Sequence, residues 1–476
     1  MVRTANSQRI VPVRVKMSKL LKHPAGIALI LFAMLFLMGI IHNSAHAQGN
    51  YIPQKVINAS TPNPVGSGAR AVGMGGAFIA VADDATAASW NPSGLTQLRE
   101  PEISFALSYF KRRDDFSSSS HPEKSGIQKA SSWDLNYLSA AYPFELFNRN
   151  MIVSINYQRL YEFERDINTT IITKPDFGLT ITNKEKVDFR QSGSLSTLSP
   201  SFAVEVTPDF SLGATFNIWT DNLFWGNGWE SDTTIRRKKY SGGMRNGRGT
   251  LESVEKFTDS DRYYGFSGFN MHLGFLWDIN NFVTIGGVVK TPFTADMQHE
   301  RRLTTRTRFP GEPMLLTSQR VDENVELDMP LSYGLGVALR FSDRFTLSCD
   351  VYRTEWDHFR LEDGEGNRIS PTTGEPSYKS PIEETTQVHL GAEYLFIYPR
   401  TVIPVRAGLF YDPEPSEKNP EDFWGFSLGT GISIGDLIFD CAYQFRTGDN
   451  VEGDVMEGTT ADVEQNLFMA SFIYHF

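Results

Sequence analysis

The sequence has little of what most chains of its length rely on. Only Cys349 and Cys441 among its 476 residues are cysteine, too few to staple a chain this long, so stability must come from burial or backbone hydrogen bonds. Helical periodicity is nearly absent, and a single apolar run, residues 27–41, approaches membrane-helix length. A polytopic helical membrane protein is thereby excluded. No His/Cys cluster has metal-ligand spacing and no EF-hand pattern occurs, so no metal and no cofactor are expected. Gly66-Ser67-Gly68-Ala69-Arg70-Ala71 fits a dinucleotide fingerprint weakly, without the βαβ unit that gives it meaning.

The apolar run follows Arg3, Arg9, Arg14, Lys16, Lys19 and Lys22 and precedes Ala45-His46-Ala47. That order describes a secretory signal peptide, expected to be cleaved after Ala47, with Met17 as an alternative start. A membrane anchor would need about 20 apolar residues. Those six cations are part of 45 Lys and Arg, whereas none of the 56 Asp and Glu lies in residues 1–47, so the remainder carries a formal charge of −17. Nucleic acid is disfavoured as a partner.

What is abundant is alternation. From Pro101 onward the chain breaks into segments in which apolar side chains alternate with small or polar ones, the period of a strand with two different faces. Phe468, Ala470, Phe472, Tyr474 and Phe476 share one face, as do Leu437, Phe439, Cys441, Tyr443 and Phe445. Fourteen segments read this way: 101–112, 133–144, 150–165, 195–206, 210–221, 264–278, 282–292, 328–341, 344–358, 385–397, 403–411, 423–434, 437–446 and 465–476. Short turns alternate with long loops at 113–132, 166–194, 222–263, 293–327, 359–384, 412–422 and 447–464. An even strand number, short turns on one side and long loops on the other predict an all-β, 14-stranded antiparallel transmembrane barrel in a Gram-negative-type outer membrane. A soluble sandwich uses shorter strands, and a bilayer admits no open sheet edge.

Residues 48–100 do not alternate. Rich in Gly and Ala, with a Gly73–Gly76 cluster and an Asn91-Pro92 turn, they are too apolar for a solvated tail and are expected to plug the lumen, with a short helix over residues 77–88. The domain reading is a signal peptide at 1–47, a hatch at 48–100 and a barrel at 101–476.

The run from Gly66 to Gly94 resembles the hatch of the FadL/TodX family of outer-membrane transporters for long-chain fatty acids and aromatic hydrocarbons. Further similarity lies in YGLGVALRFSDRFTLSCDVYRTEWDHF from Tyr333, IPVRAGLFYDPEP from Ile403 and FWGFSLGTGISIGDLIFDCAYQFRTG from Phe423. Ser93 stands where the family usually has Ala after Asn-Pro. The resemblance implies a hatch that blocks the lumen, a hydrophobic pocket beside it, a surface groove of long outer loops, and lateral release through the wall near the third strand. Gly73, Gly75, Gly76, Asn91 and Pro92 are the expected hatch or gate residues.

Other candidates come from the residues themselves. Leu223, Phe224, Trp225 and Trp229 form an aromatic cluster in the third outer loop, either a surface groove for apolar ligands or an interface girdle. Asp350, His389, Glu393, Arg406, Asp440 and Arg446 alternate inward on late strands, where they are expected to pair with one another and tether the hatch; the alternative is that Arg406 or Arg446 holds a ligand carboxylate. Arg236, Arg237, Lys238, Lys239, Arg301, Arg302, Arg306 and Arg308 suit lipopolysaccharide phosphates. Phe476 resembles the C-terminal signal read by the barrel assembly machinery. Gly425-Phe426-Ser427-Leu428-Gly429 matches a hydrolase pattern but lies inside an alternating strand instead of an elbow, so no enzyme is expected. The reading is a monomeric channel for passive uptake of hydrophobic small molecules. Its alternative is a non-transporting barrel serving as secretion accessory or structural scaffold.

Overall fold

A computed structural model describes residues 66–118, 125–173, 181–221, 226–241, 250–417, 419–452 and 459–476. The expected signal peptide and the first part of the expected hatch lie outside these residues.

Alternation produces twenty strands joined in antiparallel pairs. Fourteen of them close a ring: β1 Glu102–Ser117, β2 Gly126–Leu146, β3 Arg149–Glu162, β5 Ile181–Thr207, β6 Phe210–Trp219, β8 Thr250–Asp278, β9 Val283–Lys290, β12 Ser332–Ser342, β13 Phe345–Thr354, β16 Thr385–Tyr398, β17 Thr401–Tyr411, β18 Trp424–Ile434, β19 Leu437–Glu452 and β20 Thr460–His475. The last strand pairs with the first from Ser117↔Thr460 to Glu102↔His475, so no edge is left to satisfy in hydrocarbon. Each of the fourteen segments read from the sequence overlaps one of these strands, although 328–341 begins in the last residues of a separate strand that ends at Met329, before β12 starts at Ser332. The turns between them are tight where expected; Phe147 and Asn148 both take left-handed backbone angles, φ 54° and 56°, which suits the twist of a two-residue hairpin.

An exposed apolar belt runs around the ring. Phe105, Leu138, Val153, Phe202, Leu212, Leu273, Val289, Leu335, Val351, Leu390, Leu409, Leu428, Phe439 and Phe468 are all exposed, one from each strand. A continuous apolar surface of this kind belongs against lipid.

The long connections depart from the expectation. Segments 166–194, 222–263 and 293–327, anticipated as loops, are largely strand, and 359–384 contributes two short strands: β4 Arg165–Thr173, β7 Gly228–Ser241, β10 Phe293–Arg308, β11 Leu315–Met329, β14 Arg360–Glu362 and β15 Arg368–Ile369, with the outer halves of β5 and β8. They pair in the order β4–β5–β7–β8–β10–β11–β14–β15, a canopy rising from one side of the ring. Their outward side chains are mostly polar or charged, as at Thr294, Asp296 and Gln298 on β10, so a search for an apolar outer face passes them over.

Inside the ring lies the hatch, with short helices at Ala69–Gly73 and Ala87–Trp90 and a 3-10 turn at Pro92–Gln97. The helix expected over residues 77–88 does not form. Side chains take its backbone partners: the Asp350 carboxylate accepts the amides of Phe78 and Ile79 at 2.6 and 2.7 Å, and Asn91 Nδ2 donates to the Ile79 carbonyl at 2.9 Å.

Candidate functional site

The hatch is fastened to the wall from several strands. Besides Asp350 on β13, Ser471 Oγ on β20 accepts the Ala69 amide at 2.7 Å, and Tyr137 OH on β2 donates to the Ala85 carbonyl at 2.6 Å. Thr215 on β6 and Ser427 on β18 donate to the carbonyls of Ala88 and Gly73 at 2.8 and 3.0 Å. Ser427, the serine of the hydrolase-like pattern, thus spends its hydroxyl on the hatch. Wall glycines admit hatch backbone: a Cβ on Gly408 would stand 2.3 Å from the Gly75 nitrogen, and one on Gly213 would stand 2.3 Å from the Ser93 nitrogen. Gly75 and Gly76 themselves take φ of 68° and 79°, a region that disfavours other residues. Asn91 is fully buried, and its Nδ2 also donates to the Phe275 carbonyl of β8 at 2.9 Å.

The inward charges form two groups. In one, Arg70 of the hatch meets Glu393 through two hydrogen bonds of 2.9 and 3.1 Å and also pairs with Asp83. Arg406 then joins Glu393 at 2.6 Å to Asp440 at 2.5 Å. In the other, Arg446 pairs with Glu414 at 2.5 Å and Asp412 at 3.0 Å. His389 meets the Gly75 carbonyl through Nδ1 at 2.6 Å. Arg70 was not among the sequence candidates; its position in the Gly66–Ala71 run was its only signal.

One seam of the ring is incomplete. Between β2 and β3 the ladder runs from Leu146↔Arg149 to Tyr137↔Gln158 and stops, although β2 continues to Gly126. On its other side β3 carries a bulge at Leu160, where Arg159 pairs with Ser196 but Tyr161 with Leu195. Bulges bend strands and disrupt ladders. Above Gln158, among the described residues, side chains bridge the seam, with Arg159 to Asp134 at 2.5 Å, Ser132 to Glu162 at 3.0 Å and Asn136 donating to the Arg159 carbonyl at 3.5 Å. Behind it lies a cavity of about 90 Å³ lined by Phe110, Leu160, Leu467 and Met469 with Asn136 and Arg159.

Under the canopy lies a second apolar cluster, separate from the hatch core, including Leu160, Phe163, Trp219, Trp229, Phe266 and Trp356. Trp229, placed by the sequence at a surface groove, is buried at 3% exposure and stacks on Phe163 and Tyr263, each at 4.9 Å. It belongs to an interior stack. Leu223, Phe224 and Trp225 lie outside the described residues. Among the described residues, no group of three or more His, Cys, Asp or Glu could hold a metal ion. Cys349 and Cys441 are free thiols.

Comparison with solved structures gives the same architecture. A FadL homologue from Pseudomonas aeruginosa aligns with a TM-score of 0.56 and 17% identity, over 88% of this chain and 99% of that one. The toluene transporter TodX of P. putida aligns at 0.53 and 14%, over 87% and 99%. A comparison with curated protein sequences found no match. Residues 58–452 match the family model described as outer membrane protein transport protein (OMPP1/FadL/TodX). With its ring of fourteen strands closed around a hatch, the chain belongs to this FadL/TodX family of outer-membrane transporters of hydrophobic compounds.

Proposed function

We propose that the protein mediates passive uptake of long-chain fatty acids or aromatic hydrocarbons along a three-stage path. Capture occurs at the aromatic cluster under the canopy, transfer to the cavities above the hatch follows, and release is sideways between β2 and β3 after the hatch shifts. Affinity needs few directed contacts, because each buried CH₂ contributes about 0.8 kcal/mol. The similar P. putida structure is named a toluene transporter. The seam carries this reading: it is the interval where side chains replace backbone pairing, and an apolar cavity stands directly behind it. That cavity is smaller than the roughly 150 Å³ which accommodates benzene in a protein core, so passage requires movement of the hatch or of the Arg159 bridge.

In the same reading the protein acts as a monomer, the basic residues of the canopy meet lipopolysaccharide, and Phe476 is read by the barrel assembly machinery. Arg237 and Arg301 are already paired with Glu185 and Asp259 at 2.7 and 2.8 Å, and Arg302 meets Glu300 at 3.8 Å, which leaves Arg306 and Arg308 for lipid phosphates.

Deleting Leu160 tests the route. Without the extra residue β3 regains register and the bend relaxes. Uptake of a labelled hydrocarbon into cells should fall by at least about tenfold, a change of roughly 1.4 kcal/mol in the barrier, with the barrel still folded in the outer membrane. Uptake at the original rate would move the exit elsewhere.

A further inference from the structure

We propose that the outer rim of the canopy docks against a second lipid surface bearing anionic head groups, that of a vesicle facing the cell. The two faces of the same strands differ there in charge. On the inward face Glu185, Arg237 and Glu255 stand side by side on β5, β7 and β8, and the arginine bonds both carboxylates, at 2.7 and 3.2 Å. One residue along, the outward row is Lys186, Arg236, Lys256 and Arg306 on β5, β7, β8 and β10. The next outward row is Lys184, Lys238, Val254 and Arg308. No carboxylate interrupts either row, and among the described residues none of these cations forms an ion pair. Lys256 is half-buried and the others are exposed. Neighbouring strands lie about 4.8 Å apart, so one row holds four cations within roughly 15 Å. Like charges directly opposite one another are unfavourable, and an anionic partner relieves that repulsion.

What the rows meet at β11 points to lipid. Arg306 lies opposite Leu316 in the β10–β11 ladder, so this leucine shares the face of the cations. At the hairpin tip Phe309, Met314 and Leu315 are 38, 56 and 59% exposed. The tip is preformed: the Glu312 amide donates to the Phe309 carbonyl at 3.2 Å, and Gly311 takes φ of 84° after Pro310, the pattern of a type II turn. A soluble polyanion would answer the cations and leave these side chains in water. A leaflet answers both, offering phosphates to the rows and its apolar interior to the tip. That leaflet is not the one holding the barrel. From Phe269 in the apolar belt to Lys256, β8 runs about 40 Å, which is roughly 30 Å of height at a 45° tilt. The lipid phosphates open to Arg306 and Arg308 are therefore those of the facing surface. The contact brings the outer mouth of the barrel against a separate particle and uses no part of the uptake path.

The test places full-length protein in nanodiscs of phosphatidylcholine and floats it with vesicles of phosphatidylcholine, alone or mixed with phosphatidylglycerol. The wild type should bind the mixed vesicles at least about tenfold more tightly, and high salt should remove the difference. Arg236→Gln combined with Arg306→Gln should weaken that binding by about tenfold or more, since each cation near a charged leaflet contributes about fivefold. Both residues stand beside like charges, so the canopy of this variant should keep its resistance to protease, the check on folding. Leu315→Ser combined with Leu316→Ser should weaken binding by about fivefold and leave its salt dependence in place. Equal binding of the two vesicle types, or unchanged binding by the arginine variant, would overturn the proposal. Polyphosphate bound as tightly as the mixed vesicles, with the leucine variant unaffected, would assign the rows to a soluble polyanion and overturn it as well. Hydrocarbon uptake is measured without vesicles, so the uptake reading stands or falls separately.

Discussion

The membrane ring and the canopy are built from the same sheet, yet their faces have opposite polarity. On β12 the inward residues are Gly334, Gly336 and Ala338 and the outward ones Tyr333, Leu335 and Val337. On β10 the inward residues are Ala295, Met297 and His299, and the outward ones Thr294, Asp296 and Gln298. The period of two is common to both; what changes is the medium outside. Where hydrocarbon surrounds the strand, apolar side chains point out and the interior is filled by hatch backbone, glycine and ion pairs. Where water surrounds it, the apolar side chains turn inward and supply the core that the hatch supplies below. Two cores on one sheet should therefore fail separately.

The largest test of that separation is Trp229→Ala. Loss of a buried indole from a stacked cluster typically costs about 3–5 kcal/mol. Here the loss should fall on the canopy, seen as protease cleavage after β7 and lost near-ultraviolet circular dichroism, while the barrel's unfolding temperature holds. A matching fall in barrel stability would join the two cores into one.

Asp350→Ala attacks the lower core. It strands the amides of Phe78 and Ile79, each worth on the order of 1–3 kcal/mol when buried and unsatisfied. The hatch should loosen, admitting small hydrophilic solutes into liposomes bearing the protein, with the canopy's spectrum unchanged. Gly408→Val should give a weaker version of the same leak, about 1–3 kcal/mol of overpacking against Gly75. If Gly408→Val seals as well as the wild type, the wall and hatch are not in rigid contact there.

This division also explains what could be read in advance. The fourteen ring strands were legible because lipid forces an apolar residue onto every second position, as at Phe468, Phe472 and Tyr474. The canopy strands escaped because their outward residues, such as Asn324 and Glu326 on β11, face water and read as loop, while Val325 and Leu327 supply only a short inward signal. The hatch was visible as a run of Gly and Ala, but its conformation was not, since Asp350 and Asn91 from distant positions replace helical hydrogen bonds. Asp350, Glu393, Arg406, Asp440 and Arg446 could be placed inward by parity alone. Their grouping depends on which strands neighbour one another and on Arg70, which no strand periodicity marks.

The smallest effect separates the two cores by pH. His299, in the canopy, has carboxylates on both ring nitrogens, Asp261 on β8 at 2.7 Å and Glu323 on β11 at 2.9 Å, and stacks on Tyr263 at 4.4 Å. Burial pulls its pKa down, but the hydrogen bonds and charges of Asp261 and Glu323 outweigh this and leave it above the ordinary value near 6.5. A cation stabilised in the folded state contributes fully below 6.5, and that contribution disappears as the pH rises through the folded value. Without the second proton, one of the two carboxylates faces a bare ring nitrogen between β8 and β11. Proteolysis of the turn joining β10 to β11 should therefore quicken as the medium passes from mildly acidic to alkaline. His299→Phe keeps the stack on Tyr263 and removes the titration, so its cleavage rate should lose this step in pH. The step surviving in His299→Phe would assign it to another canopy group, Asp259 beside Arg301 being the nearest.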